Sequence, residues 1–248
     1  MQKLQKKKKS KKTFFLLLLA NALLFCISIA LIVFSVLRKP TLTDAQCDRI
    51  LSPYSPALEA VEYETYTFKN NFSQPSEYRG PPTPEREAAW KKLTHGMASC
   101  SRDEIIRKLT ENIGPAINVP MEKLYLLNKS TEIDWVRTPE EAGGGAAALL
   151  EVVHQLHCLG MLRKWSYREW YEEAPPEFDG PENLMHMHVD HCIEMLRVHL
   201  MCASDVTPFL STVDNDSIIG KRADFESMHK CRNFSKIQEW MWDNLAIP

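Results

Sequence analysis

Hydrophobic and polar positions alternate in three different ways along this chain, and each pattern predicts a different element. Residues 14–37 form an apolar run of 24 residues with no charged side chain. As a helix it extends about 36 Å at ~1.5 Å per residue, enough to cross a hydrocarbon core of ~30 Å. Residues 61–68 (VEYETYTF) are rich in β-formers with partial alternation, which predicts a short strand. Helical spacing takes over afterwards. In SQPSEYRGPPTPEREAAW, Thr83 is the expected N-cap, Pro84 the first helical residue and 85–93 the helix. A second packing helix is expected from Ser101, with Asp103 and Glu104 in its first turn and Ile105, Ile106 and Leu109 on one face. Three glycines, Gly143, Gly144 and Gly145, then precede a helix predicted over 146–170. A loop holding Pro175, Pro176, Gly180 and Pro181 ends it, and a further helix is predicted over 182–202. The fold class expected is mainly α with minor β. A single-pass N-terminal transmembrane helix is followed by one domain built around a helical hairpin. The expected divisions are a basic tail (1–13), a signal anchor (14–37), a stalk with three prolines (38–57) and a domain (58–248).

The last two helices carry the same pattern. HQLHCLGMLR at 154–163 matches HVDHCIEMLR at 188–197, so two histidines, a cysteine, a methionine, a leucine and an arginine recur at identical offsets. Only two copies exist, which implies a paired unit and no solenoid. At ~100° per residue, the first histidine, second histidine, cysteine and methionine of each copy fall at about 0°, −60°, +40° and −20°, on one face. His199 lies about 20° from His188 on the same wheel, while His186 points elsewhere. Imidazole, thiolate and thioether are borderline or soft donors that suit copper or zinc, with sulfur favouring Cu(I). Helices packed face to face would bring four to six such donors around one or two ions. His154, His157, His188 and His191 are therefore the candidate ligands and catalytic residues, with Cys158, Cys192 and His199 as further candidates.

Charge changes the picture by assigning a side. Seven lysines precede the apolar run, against Arg38 and Lys39 after it. By the positive-inside rule the N-terminus is then cytoplasmic and the C-terminal domain lumenal or exterior. A secretory signal peptide has a shorter apolar core, of about 7 to 15 residues, and a small-residue cleavage site. Sequons at Asn71, Asn128, Asn215 and Asn233 are usable only in a secretory compartment. Outside the tail the chain carries 23 basic against 32 acidic residues, which argues against a nucleic-acid partner.

Plainer readings compete at several positions. In an oxidising lumen Cys158 and Cys192 either ligate a metal or form a disulfide between the two helices, and the six cysteines beyond the apolar run allow fifteen complete pairings. Met161 and Met195 read as core fillers. Arg163 and Arg197 either neutralise an anionic ligand or pair with acids such as Glu151 and Glu194. The histidines themselves could belong to a structural glycoprotein core.

With its doubled HxxHC, LEVVHQLHCLGMLRK, DHCIEMLRVHLMCASD, PSEYRGPPTPEREAAW and MHKCRNFSKIQEW, the chain resembles the fungal UstYa-like proteins of mycotoxin biosynthesis from about residue 63 to 240. The resemblance implies an oxidase of a secondary-metabolite cluster, copper-dependent, acting on a peptide-derived or other secondary-metabolite intermediate. Macrocyclisation between side chains, dehydrogenation, hydroxylation or chlorination are the reactions it implies. It also implies a second UstYa-like protein as a partner, in which case this chain could be a non-catalytic subunit. Every signature position is present. The residue three after each motif cysteine, where the resemblance leads one to expect an aromatic, is methionine in both copies. No GxSxG, dinucleotide-binding or P-loop motif is recognisable. Zinc would leave only Lewis-acid chemistry, whereas hydrogen abstraction requires a redox metal.

Overall fold

The computed structural model describes residues 2–37, 42–95, 115–178 and 180–247, with side chains from Lys11 onward; the helix expected from Ser101 lies outside them. The chain divides into two units, Met1–Thr43 and Asp44–Pro248. The first is one helix, α1 (Gln2–Leu37), of which Lys11–Leu37 is long and apolar enough to cross a membrane.

The second unit is mainly helical with three two-stranded antiparallel sheets among the described residues. It begins earlier than expected. Residues 44–57 were read as stalk, yet α2 (Asp44–Leu51) folds against the strands β1 (Tyr63–Thr67) and β6 (Met228–Arg232), which pair with each other. The reason is Asp48, only 4% exposed. A buried carboxylate needs partners. It accepts a hydrogen bond of 2.8 Å from the Tyr63 hydroxyl and one of 2.6 Å from Arg232. A short 3-10 turn, Pro56–Ala60, continues the fold with Ala57 buried.

The helix α3 (Pro84–His95) starts where the cap residue places it, with Arg86 N donating to Thr83 Oγ1 at 3.2 Å. The strand β2 (Ile117–Val119) pairs with β3 (Ala146–Ala148). The latter corrects the sequence reading, which placed these alanines in a helix. Alanine's helix preference is worth well under 1 kcal/mol per residue and yields to tertiary pairing. The pairing is set by Gly145, whose N–H donates to Asn118 Oδ1 at 2.8 Å. A Cβ at Gly145 would lie 2.3 Å from the Val119 carbonyl oxygen, so only glycine admits the close approach. Gly143, at φ +108, makes the turn before it.

The helix α4 (Glu151–Ser166) begins only after this strand and is followed by a 3-10 turn, Arg168–Trp170. The second motif helix, α5 (Glu182–Ala203), starts where expected, runs one residue past the expected end and stops on Ser204 at φ 40. β4 (Leu210–Val213) and β5 (Lys221–Asp224) form a hairpin. Asn233 caps α6 (Phe234–Asp243), accepting from Lys236 N at 3.1 Å. α4 is central. Its Val153 packs with Ile117 and Met241, its Gly160 faces Trp90 of α3, and its Cys158 and Met161 join Cys192 of α5 and Phe178 in one core. Met195 packs against that core too, so both motif methionines fill space.

Candidate metal centre

Antiparallel contact between α4 and α5 sorts the four motif histidines into two pairs. His154 stands against His191 with ring centroids 5.5 Å apart and Nε2 atoms 3.4 Å apart; His157 stands against His188 at 6.0 Å. Cys158 lies under the first pair. One ligand atom each from His154, Cys158 and His191 falls within 4.8 Å of the others. Two imidazoles and a thiol converging so closely suit a soft or borderline ion. The second nitrogen of His154, Nδ1, lies 3.9 Å from Glu151.

The two cysteines are fully buried free thiols. Burial pushes the Cys192 thiol well above the ordinary range, and its hydrogen bond to Cys158 adds to that. His199 does not join the cluster. Its Nδ1 is 2.9 Å from Gln155 Nε2, a bond across to α4. His186 packs edge-on against Trp165. Arg197 pairs with Glu194 on its own helix, whereas Arg163 pairs with Glu87 of α3 and not with Glu151.

His157 opens onto a cleft of about 410 Å³ between α3 and α4, walled by Trp90, Gly160, Met161, Lys164 and Glu177. Burial holds the His157 imidazole below its ordinary range, and His188 opposes its protonation further, against a smaller opposite pull from Glu177. Glu177 is itself depressed: burial acts to raise it, but Lys164 Nζ, 2.5 Å away, and a backbone hydrogen bond together outweigh burial. His157 is therefore neutral at pH 7 beside a closed ion pair. Trp90 and Gly160 lie in segments that carry the family resemblance but were not singled out as site residues, and Glu177 lies in none of them. The one available signal was Glu87 and Trp90 at i and i+3 in the proline-capped helix, one face of α3.

The sequons are placed differently from one another. Asn128 is exposed at φ 54 and Asn215 is exposed in the β4–β5 turn. Asn71 donates to Glu226, and Asn233 is the α6 cap.

Residues 5–244 match the family described as mycotoxin biosynthesis protein UstYa. The chain belongs to the UstYa family. Among curated relatives it is 40% identical over 197 residues to the UstYa family oxidase phomYc of Diaporthe leptostromiformis, covering 78% of this chain and 70% of that one. To phomYc' of the same fungus it is 36% identical over 197 residues, 78% and 63% of the two chains. It is also 35% identical over 206 residues to Transacylase cctO of Talaromyces islandicus, 79% and 62% of the two. The chain thus spans less than two thirds of the length of the second and third of these relatives. No solved structure matches it.

Proposed function

We propose that this UstYa-family protein is a membrane-anchored, copper-dependent oxidase that removes hydrogen from a peptide-derived secondary-metabolite intermediate, acting in the lumen of the secretory pathway. The observation that carries the reading is the convergence of His154, Cys158 and His191 from two copies of one motif within 4.8 Å. Membership in a family described by mycotoxin biosynthesis and relatives named oxidases support it.

In this reading His154, Cys158 and His191 hold copper, with His157 and His188 as the adjoining pair. Copper supplies the electron transfers that amino-acid side chains cannot, with dioxygen as final acceptor of the two electrons and two protons that leave the substrate. The chain's own residues provide the rest. His157, kept neutral by burial, accepts a proton from a substrate group in the cleft. Trp90 and Met161 give the substrate an apolar wall that excludes water, and the Lys164–Glu177 pair closes one side. A second UstYa-like chain is a partner in this reading.

The name transacylase on one relative raises acyl transfer as an alternative. That reaction uses an activated nucleophile. The raised Cys192 thiol is the opposite of an activated one.

Full-length protein purified in neutral detergent tests the proposal by elemental analysis and by mass of the converted intermediate. At least stoichiometric copper is expected, with a product lighter by two hydrogens and loss of both in the double variant His154→Ala, His188→Ala. Substoichiometric copper together with unchanged conversion in that variant defeats the reading. Conversion only after a second family member is added moves the chain to the subunit role.

A further inference from the structure

A second cavity of about 490 Å³ is lined by Tyr78 and Arg163, both of which contact Trp90. Two arginines line it among aromatic rings, Phe72, Tyr78, Tyr167 and Phe225. Arg163 is the more constrained, its side chain 8% exposed. Its Nη2 meets Glu87 and, at 3.3 Å, the Tyr171 hydroxyl, and its guanidinium sits 5.3 Å above the Trp90 ring. Nε and Nη1 are buried and have no hydrogen-bond partner among the described residues. Guanidinium carries five donors, and leaving some unsatisfied in a buried setting is unfavourable, so the arrangement calls for an acceptor. Arg79 is held in place by the carbonyl oxygens of Asn71 at 2.6 Å and Gln74 at 3.1 Å and by the Asn70 side chain. All of these are uncharged, so they orient the fork without neutralising it. Glu77 influences Tyr78 but is exposed and outside the lining.

The charge count selects the ligand. The two lining arginines, one of them paired with Glu87 outside the lining, leave one net positive charge in a cavity whose other walls are four aromatic rings with Asn70 and Gly80. A single carboxylate with an apolar or aryl body neutralises it; a dianionic phosphate would leave charge uncompensated in that setting. We propose that this cavity binds the carboxylate of such a ligand through Arg163 and Arg79. Arg163 follows His157 by six residues on α4, about 9 Å at ~1.5 Å per residue. Six residues also turn the helix by about 600°, so Arg163 and His157 face different sides of α4 and the carboxylate site is separate from the histidine cleft; the binding does not rest on the oxidase reading.

The test uses the full chain in neutral detergent without added copper, titrated calorimetrically with 3-phenylpropionate, its neutral amide 3-phenylpropanamide, and phenyl phosphate. The acid is expected to bind about tenfold or more tightly than the amide, the scale of one charge-assisted hydrogen bond. The preference should shrink with added salt and disappear in Arg79→Met. His157→Ala should leave it unchanged, which separates this site from the oxidase reading. The acid–amide comparison needs no variant, so misfolding of Arg79→Met does not rescue the idea. Equal binding of acid and amide overturns the proposal, and so does tighter binding of phenyl phosphate than of the acid.

Discussion

Cys158 and Cys192 occupy the same place in two copies of one motif, yet their surroundings differ. Cys158 belongs to the donor cluster with His154 and His191, whereas Cys192 is absent from that cluster and backs Cys158 from the core. Ligation requires a deprotonated thiol, and a bound ion stabilises that thiolate directly. Equivalence in sequence therefore does not give equivalence in role. Cys158→Ala should lower the copper content of the purified protein to less than half. Cys192→Ala should retain copper and instead lower unfolding stability by about 1–3 kcal/mol, the ordinary range for a disturbed core position. Elemental analysis beside urea unfolding of both variants decides the matter; equal copper loss in the two would mean that both thiols ligate. Alkylation of the unreduced protein under denaturing conditions separately reports whether the two buried thiols are free, as they are in this structure.

At the scale of elements, what holds the histidine helix in place is a strand pairing. α4 starts where β3 ends, and β3 is pinned to β2 through Gly145, where an added Cβ would meet the Val119 carbonyl oxygen at 2.3 Å. Gly220 is a suitable contrast: its φ is +68, but no atom lies within 4 Å of the place its Cβ would take. Gly220→Ala should cost about 1–2 kcal/mol, the left-handed strain of one residue. Gly145→Ala should cost clearly more, because backbone must move as well, and it should also lower copper content by shifting the start of α4. Denaturant midpoints with copper analysis test this, and a Gly145→Ala effect no larger than that of Gly220→Ala would sink it. The same contrast explains how legible the chain was. α3 and α5 were readable because caps, prolines and 3.6-residue spacing are local signals. The three alanines of β3 were misread because their partner is Ile117–Val119, far away in sequence. α2 passed for stalk because the partners of Asp48, Tyr63 and Arg232, are invisible in a local window. His199 fell on the right azimuth, but it lies about 16 Å along the helix from His188 at ~1.5 Å per residue, and there it meets Gln155. The cleft residues Glu87 and Trp90 of α3 lie in a segment that carries the family resemblance, but no donor pattern tied them to the histidines.

Across the whole molecule, three phenols among the described residues have a protonated form that the fold favours. Tyr63 ties β1 to α2 and is raised by burial and then by Asp48, which accepts its hydrogen bond. Tyr78, whose backbone carbonyl accepts from Trp90 Nε1, is raised by burial and then by Glu77. Tyr171, which donates to Glu87 at 3.1 Å beside Arg163, is pushed up to about 12, chiefly by burial, with Glu87 adding and Arg163 opposing. All three shifts have the same sign. Above pH about 10 the unfolded chain loses these protons before the folded one does, so the unfolded state binds fewer protons and stability falls as pH rises. The contribution is fully present below about pH 10 and, for Tyr171, is lost progressively toward pH 12. Thermal midpoints of the full chain measured across that interval should decline steeply. Tyr171→Phe should make the decline shallower by about one proton of linkage while removing the bond that steadies Glu87 against Arg163. Because Arg163 lines the carboxylate cavity, the same variant should also weaken binding of 3-phenylpropionate measured at neutral pH. An alkaline decline of unchanged slope in Tyr171→Phe would show that this phenol already ionises in the folded protein, and that the α3–α4 brace does not depend on it.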